Sequence, residues 1–142
     1  MVKRFKGESF MINLTIEGEP KGKARPRVCK NGIAFTPKAT VNYENYVKEL
    51  YILNKLPKLQ GYIKAKITAY YSIPKSASKV KKAEMKHEII RPTKKPDLDN
   101  VAKIILDSLN GIAYKDDSQV VSLQVDKYYS NDPRVELELE EI

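Results

Sequence analysis

Three features of the sequence predict an α+β fold, a small mixed β-sheet with two main helices packed on one face. Apolar residues alternate along several short stretches, and two other stretches carry them at helical spacing. The two kinds are interleaved in the order β-β/β-α-β-α-β-β, which a sheet covered by helices satisfies most simply. No internal repeat or composition break divides the chain, so residues 1–142 are expected to form a single domain.

Met11 to Glu17 alternates, with Ile12, Leu14 and Ile16 on one face, and reads as a half-buried strand. Gly18 to Arg27 is turn-rich, and Val28 to Phe35 around Asn31-Gly32 reads as a hairpin. Thr36-Pro37 starts a helix as N-cap and first-turn proline, with Tyr43, Tyr46, Val47, Leu50 and Leu53 as its apolar stripe. Pro57 and Gly61 end it. Tyr62 to Ile73 alternates again, with Ile63, Ala65, Ile67, Ala69 and Tyr71 inward. Lys75 to Lys95 has no clear period, and its eight Lys or Arg face only Glu84 and Glu88. It is expected to be a mobile loop, ordered on binding, with a short helix around 77–86. From Asp99 the period is helical, through Val101, Ile104, Ile105 and Leu109, until Asn110-Gly111 stops it. Val120 to Tyr128 alternates through Val121, Leu123 and Val125. Arg134 to Glu140 does so through Val135, Leu137 and Leu139, after a turn at Asn131-Asp132-Pro133.

A balance of 26 Lys and Arg against 18 Asp and Glu, with pI near 9.4, points to a polyanionic partner. No apolar run is long enough to span a membrane and no signal-peptide core is present, so the cytoplasm is the expected location. Cys29 is alone and His87 is the single histidine, which excludes a disulfide and any multi-His or multi-Cys metal site. Cys29 is expected to be a small buried hydrophobe, and His87 to be solvent-exposed.

Against this basic background Asp97, Asp99, Asp107, Asp116 and Asp117 fall in one short span. Clustered carboxylates repel unless a cation sits between them. In extended chain Asp97 and Asp99 project to one side, and Asp99 also suits a helix N-cap. Lys103 lies one turn on, and Asp107 one turn beyond it. Local geometry alone need not bring Asp116 and Asp117 beside the first pair, but they are expected there if the strands flanking the helix are neighbours in the sheet. The same residues could be a cap, a Lys103–Asp107 ladder and a polar turn, which leaves Asp97 without a role. An EF-hand fails, because Val101 and Ala102 stand where a ligand and the required glycine belong. An all-carboxylate donor set suits Mg2+ or Mn2+.

Three segments resemble the signature of the RusA family of Holliday junction resolvases. They are Lys95-Pro96-Asp97-Leu98-Asp99-Asn100-Val101-Ala102-Lys103, Leu106-Asp107-Ser108-Leu109-Asn110-Gly111 and Asp116-Asp117-Ser118-Gln119-Val120-Val121. Gly22-Lys23-Ala24-Arg25-Pro26-Arg27 and Phe35-Thr36-Pro37 resemble that family's N-terminal half. The likeness runs from about Glu17 onward. It implies a RusA-like fold, a dimer, and a Mg2+-dependent endonuclease, with Mn2+ able to substitute, that resolves four-way junctions in DNA recombination and repair. Phages and prophages often encode such enzymes. Asp97, Asp99 and Asp117 match the family's metal-binding aspartates and Lys103 its catalytic lysine. Asp107 and Asp116 stand at further acidic positions, Asp116 as an additional metal ligand. The first ten or so residues, with Lys3, Arg4 and Lys6, match nothing in the family and are expected to be a disordered basic leader.

The expected DNA footprint is Lys21, Lys23, Arg25 and Arg27, stiffened by Pro20 and Pro26, together with Lys75, Lys79, Lys94 and Lys95. Phe35 or a loop tyrosine could stack on unpaired bases. A symmetric homodimer would supply two nicks and cover the bare part of the sheet. The competing functions are a non-catalytic nucleic-acid binder whose acids only cap and turn, and a nuclease acting on flaps or forks.

Overall fold

A computed structural model describes residues 10–142 of the chain, and the basic leader expected before them lies outside the described residues. Four strands form one sheet in the order β1-β6-β4-β5: β1 (Phe10–Glu17), β4 (Ile63–Ser72), β5 (Val120–Ser130) and β6 (Arg134–Glu141). β6 pairs antiparallel with β1 and β4, while β4 and β5 are parallel. The sheet is therefore mixed, as the sequence predicts. β2 (Arg27–Val28) and β3 (Ala34–Phe35) make a separate two-residue hairpin.

Register follows from the alternation. Ile12 faces Leu139, Leu14 faces Leu137 and Ile16 faces Val135, which puts these six on one side, while Met11, opposite Glu140, lies exposed on the other. Ile63, Ala65, Ile67, Ala69 and Tyr71 of β4 join them, all buried. α1 (Lys38–Leu53) and α3 (Leu98–Ser108) close this core with Val47 and Tyr51, and with Val101, Ile104 and Ile105. Each such aliphatic side chain contributes roughly 1.5–3 kcal/mol on burial. The other sheet face is polar, with Lys64 opposite Glu140 and Lys66 opposite Glu138.

Several elements differ from the expectation. Pro37, not Thr36, stands at the N-cap of α1, and Leu53 is exposed because the helix closes its stripe with Tyr51 instead. Asp97, not Asp99, holds the N-cap place of α3, and Asp99 lies in its first turn. Val121 is exposed: a register shift pairs Ile63 with Val120 and Lys64 with Ser122, leaving Val121 as the extra residue of a bulge. The inward phase of β5 then runs Leu123, Val125, Lys127 and Tyr129, opposite Ala65, Ile67, Ala69 and Tyr71. Leu123 remains half-exposed at the sheet edge.

The 75–95 segment is built rather than loose. Ser78 accepts the Lys81 N–H to cap a third helix, α2 (Lys79–Lys86), and Met85 is buried. His87 ends that helix exposed. Arg91 then donates to the Lys127 carbonyl at 2.9 Å and to Asp126 at 3.0 Å, fastening the return segment to β5. Cys29 is exposed, because the β2–β3 hairpin stands away from the core.

Candidate active site

α3 is the axis of the site. Its N-terminal end carries Asp97 and Asp99, both exposed, and the strand beneath it positions them. The Tyr71 hydroxyl donates to the Pro96 carbonyl at 2.5 Å, pinning the chain just before Asp97. Burial first, then the charges of Asp97 and Glu19, push the Tyr71 phenol up to about 12. Lys127 reaches the same place. Its ammonium lies 4.9 Å from the Tyr71 ring centre and donates to the Lys94 carbonyl at 2.7 Å. Partial burial lowers its pKa while Asp97 opposes the shift. Glu19 completes the surroundings by accepting the Ser72 N–H.

The C-terminal end of α3 carries the second acidic group. Gly111, at φ +78°, turns the chain back. The Asp117 N–H then donates to Asn110 Oδ1 at 2.7 Å. Asp116 and Gln119 form a reciprocal capping box on the short 3-10 turn Asp117–Gln119, with Asp116 accepting the Ser118 N–H at 3.2 Å. Those Ser118 hydrogen bonds hold the Asp116 carboxyl below its ordinary range. Asp117 moves the other way. Desolvation raises it first, followed by a hydrogen bond with Asp107 and the charges of Asp116 and Asp107. Asp107, Asp116 and Asp117 are thus one group around the end of the helix.

The two acidic groups do not meet within one chain. Ten residues separate Asp97 from Asp107, a rise of about 15 Å along α3. Asp117 lies beside Asp107, which helps raise its pKa, at the far end from Asp97. Among the described residues no three Asp, Glu, His or Cys side chains gather closely enough to hold a metal ion. The strands flanking the helix are indeed sheet neighbours. Because they are parallel, however, α3 must run back antiparallel to them. The chain therefore re-enters the sheet at the opposite end from Asp97.

Between the groups lies a cationic hollow of about 270 Å3, lined by Lys23, Ala24, Arg25, Pro26, Asn100 and Lys103. Gly22 makes it possible. A Cβ there would sit 2.9 Å from the Pro96 Cβ and 3.2 Å from the Asn100 Cβ, so only glycine lets the 20–27 stretch lie against α3. The Lys23 N–H donates to the Asn100 carbonyl at 3.1 Å and fixes that approach. Arg25 and Lys103 are exposed and have no ion-pair partner among the described residues. The Lys23 ammonium is committed elsewhere, 3.0 Å from Glu44 and 3.6 Å from Asp107. Lys21, Arg27, Lys75, Lys79, Lys94 and Lys95 are all exposed. Sequence reasoning took Asn110 only as part of the helix stop and the family signature, and passed over Glu44 and Lys127. Of the last two, only Lys127 carried a signal, as a charged residue two positions on from Val125 in an apolar alternation.

A family model, endodeoxyribonuclease RusA, matches residues 17–140. A curated protein of Bacillus subtilis (strain 168), named uncharacterized protein YqaN, is 40% identical over 138 residues, covering 92% of this chain and 96% of that protein. No helix among the described residues is long and apolar enough to cross a membrane. The match covers both acidic groups, the hollow between them, and the β4, β5 and β6 strands almost in full, reaching β1 only at Glu17, and the chain belongs to the RusA endodeoxyribonuclease family.

Proposed function

We propose that the protein is a Mg2+-dependent endonuclease that cuts four-way DNA junctions as a symmetric homodimer, each active site being shared between two subunits. The carrying observation is the placement of two acidic groups at opposite ends of α3 with a cationic hollow between them. Two copies related by a two-fold axis, with their α3 helices antiparallel, would set Asp97 and Asp99 of one beside Asp117 of the partner subunit. Two equivalent sites result, and the paired nicks that resolve a junction need two.

The donor chemistry fits a hard dication. All candidate ligands are carboxylates, and Asp107 and Asp117 are held close enough to repel when both are ionised. Asp97, Asp99 and Asp117, with Asp116 at the rim, would hold Mg2+ or Mn2+. When bound, the ion polarises the phosphate and lowers the pKa of water. Lys103 and Arg25 line the hollow and stabilise the negative charge that grows on the phosphate oxygens. Lys23 holds Asp107 from one side while Asn110 orients Asp117 from the other. Hydrolysis joins the water oxygen to phosphorus, breaks one backbone P–O bond and returns a proton to the leaving oxygen.

A labelled four-way junction, a flap and a linear duplex, each with Mg2+ and with EDTA, test the reading. Paired nicks in the junction, present with Mg2+ and absent with EDTA, are expected. Binding without any cleavage would leave a nucleic-acid-binding protein, and preferential cutting of the flap would move the target.

A further inference from the structure

The β2–β3 hairpin is unlike the rest of the surface. Every residue from 25 to 35 is exposed, and no part of the core supports it. Its turn is well formed: the Gly32 N–H donates to the Cys29 carbonyl at 2.9 Å, and the Cys29 N–H to the Ile33 carbonyl at 2.9 Å. Arg27 pairs with Phe35 and Val28 with Ala34. Strand alternation therefore puts Arg27, Cys29, Ile33 and Phe35 on one face and Val28 and Ala34 on the other. Apart from Arg27 both faces are apolar, and both are open, with Val28 at 69%, Ile33 at 62% and Phe35 at 44% exposure. A hairpin that merely covered a surface would be apolar on one side only.

Its flanks say what it meets. From Pro20 to Tyr43 there is no acidic residue, and Lys21, Lys23, Arg25, Arg27, Lys30 and Lys38 accompany the apolar tip. Arg25, at the base of the hairpin, also lines the hollow beside Lys103. An apolar tip on a cationic base, continuous with a phosphate site, matches unstacked bases flanked by their phosphates. We propose that the β2–β3 hairpin is a wedge that enters the branch point of the DNA, with Phe35 and Ile33 against one parted base and Val28 against another. This rests on the junction-cutting reading and adds how the branch is opened and recognised.

A junction carrying 2-aminopurine beside the branch point, mixed with the full-length protein in EDTA, reads the wedge directly. The wild-type protein should brighten the probe several-fold. The double variant Ile33→Ser/Phe35→Ser should bind linear duplex as tightly as wild type yet lose the brightening, and Phe35→Trp should keep it. Undiminished brightening in the double variant overturns the wedge. So does a shift of the double variant to monomer in sedimentation, which would make the hairpin a contact between copies. If the wild-type protein cuts junctions with Mg2+ while the probe stays dark, the wedge alone falls. If it neither binds nor cuts junctions, both readings fall.

Discussion

Lys23 and Arg25 lie two residues apart in one basic stretch, and their surroundings give them different work. Lys23 is bound to Glu44 and Asp107, whereas Arg25 faces solvent at the hollow. Arg25→Ala should lower the salt slope of duplex binding by about one, while Lys23→Ala should leave that slope nearly unchanged and reduce cleavage instead. Equal slopes for the two variants would return Lys23 to the DNA footprint. Neither ion pair was legible in the sequence, because Glu44 and Asp107 are remote in the chain and meet Lys23 only once α1 and α3 have packed. Tyr51 offers a residue-scale test of the core. Its hydroxyl donates to the Pro57 carbonyl at 2.6 Å, and burial pushes its pKa up to about 12. The folded state holds this proton more tightly than the unfolded chain. The contribution is therefore fully present below about pH 10, and is lost as pH rises from there towards 12. Tyr51→Phe should cost about 1 kcal/mol near neutrality and flatten the alkaline loss of stability, as followed by urea midpoints across pH.

Among the elements, α3 joins the fold to the chemistry. Its apolar side is fully buried and its ends carry the acids, so packing rather than the acids themselves sets their separation. Gly22 governs how the basic stretch meets this helix. Gly22→Ala would drive a methyl against Pro96 and Asn100 and lift Lys23 and Arg25 from the hollow. A roughly tenfold or greater fall in cleavage rate, with the circular dichroism of the folded protein retained, is the expected outcome. Wild-type cleavage would show that the hollow tolerates the displacement. The strand β4 and the helix α3 could be read from the sequence because their periodicity is local. The bulge at Val121 could not, because it exists only in the register between β4 and β5. Nor could the order of the 75–95 segment, which depends on Arg91 reaching Asp126 and Lys127 across the sheet edge. The place of Asp117 depended on the direction of β5. The strands are neighbours, but that was not sufficient, because their being parallel put Asp117 at the other end of α3.

At the scale of the whole molecule, a net charge of +8 draws the chain to DNA, while the acids that would cut it are divided between two ends of one helix. On the proposed reading one copy has two half-sites, which a two-fold axis would make whole. The most direct measurement mixes two proteins, Asp97→Asn and Asp117→Asn, after subunit exchange. Each alone should be inactive on a four-way junction with Mg2+. A mixed dimer combines both lesions in one site and leaves the other intact, with a native Asp97 from one chain and a native Asp117 from its partner. Single-strand nicking by the mixture, absent from either protein alone, is the expected result. A mixture shown to contain mixed dimers that still cuts nothing would contradict the shared site.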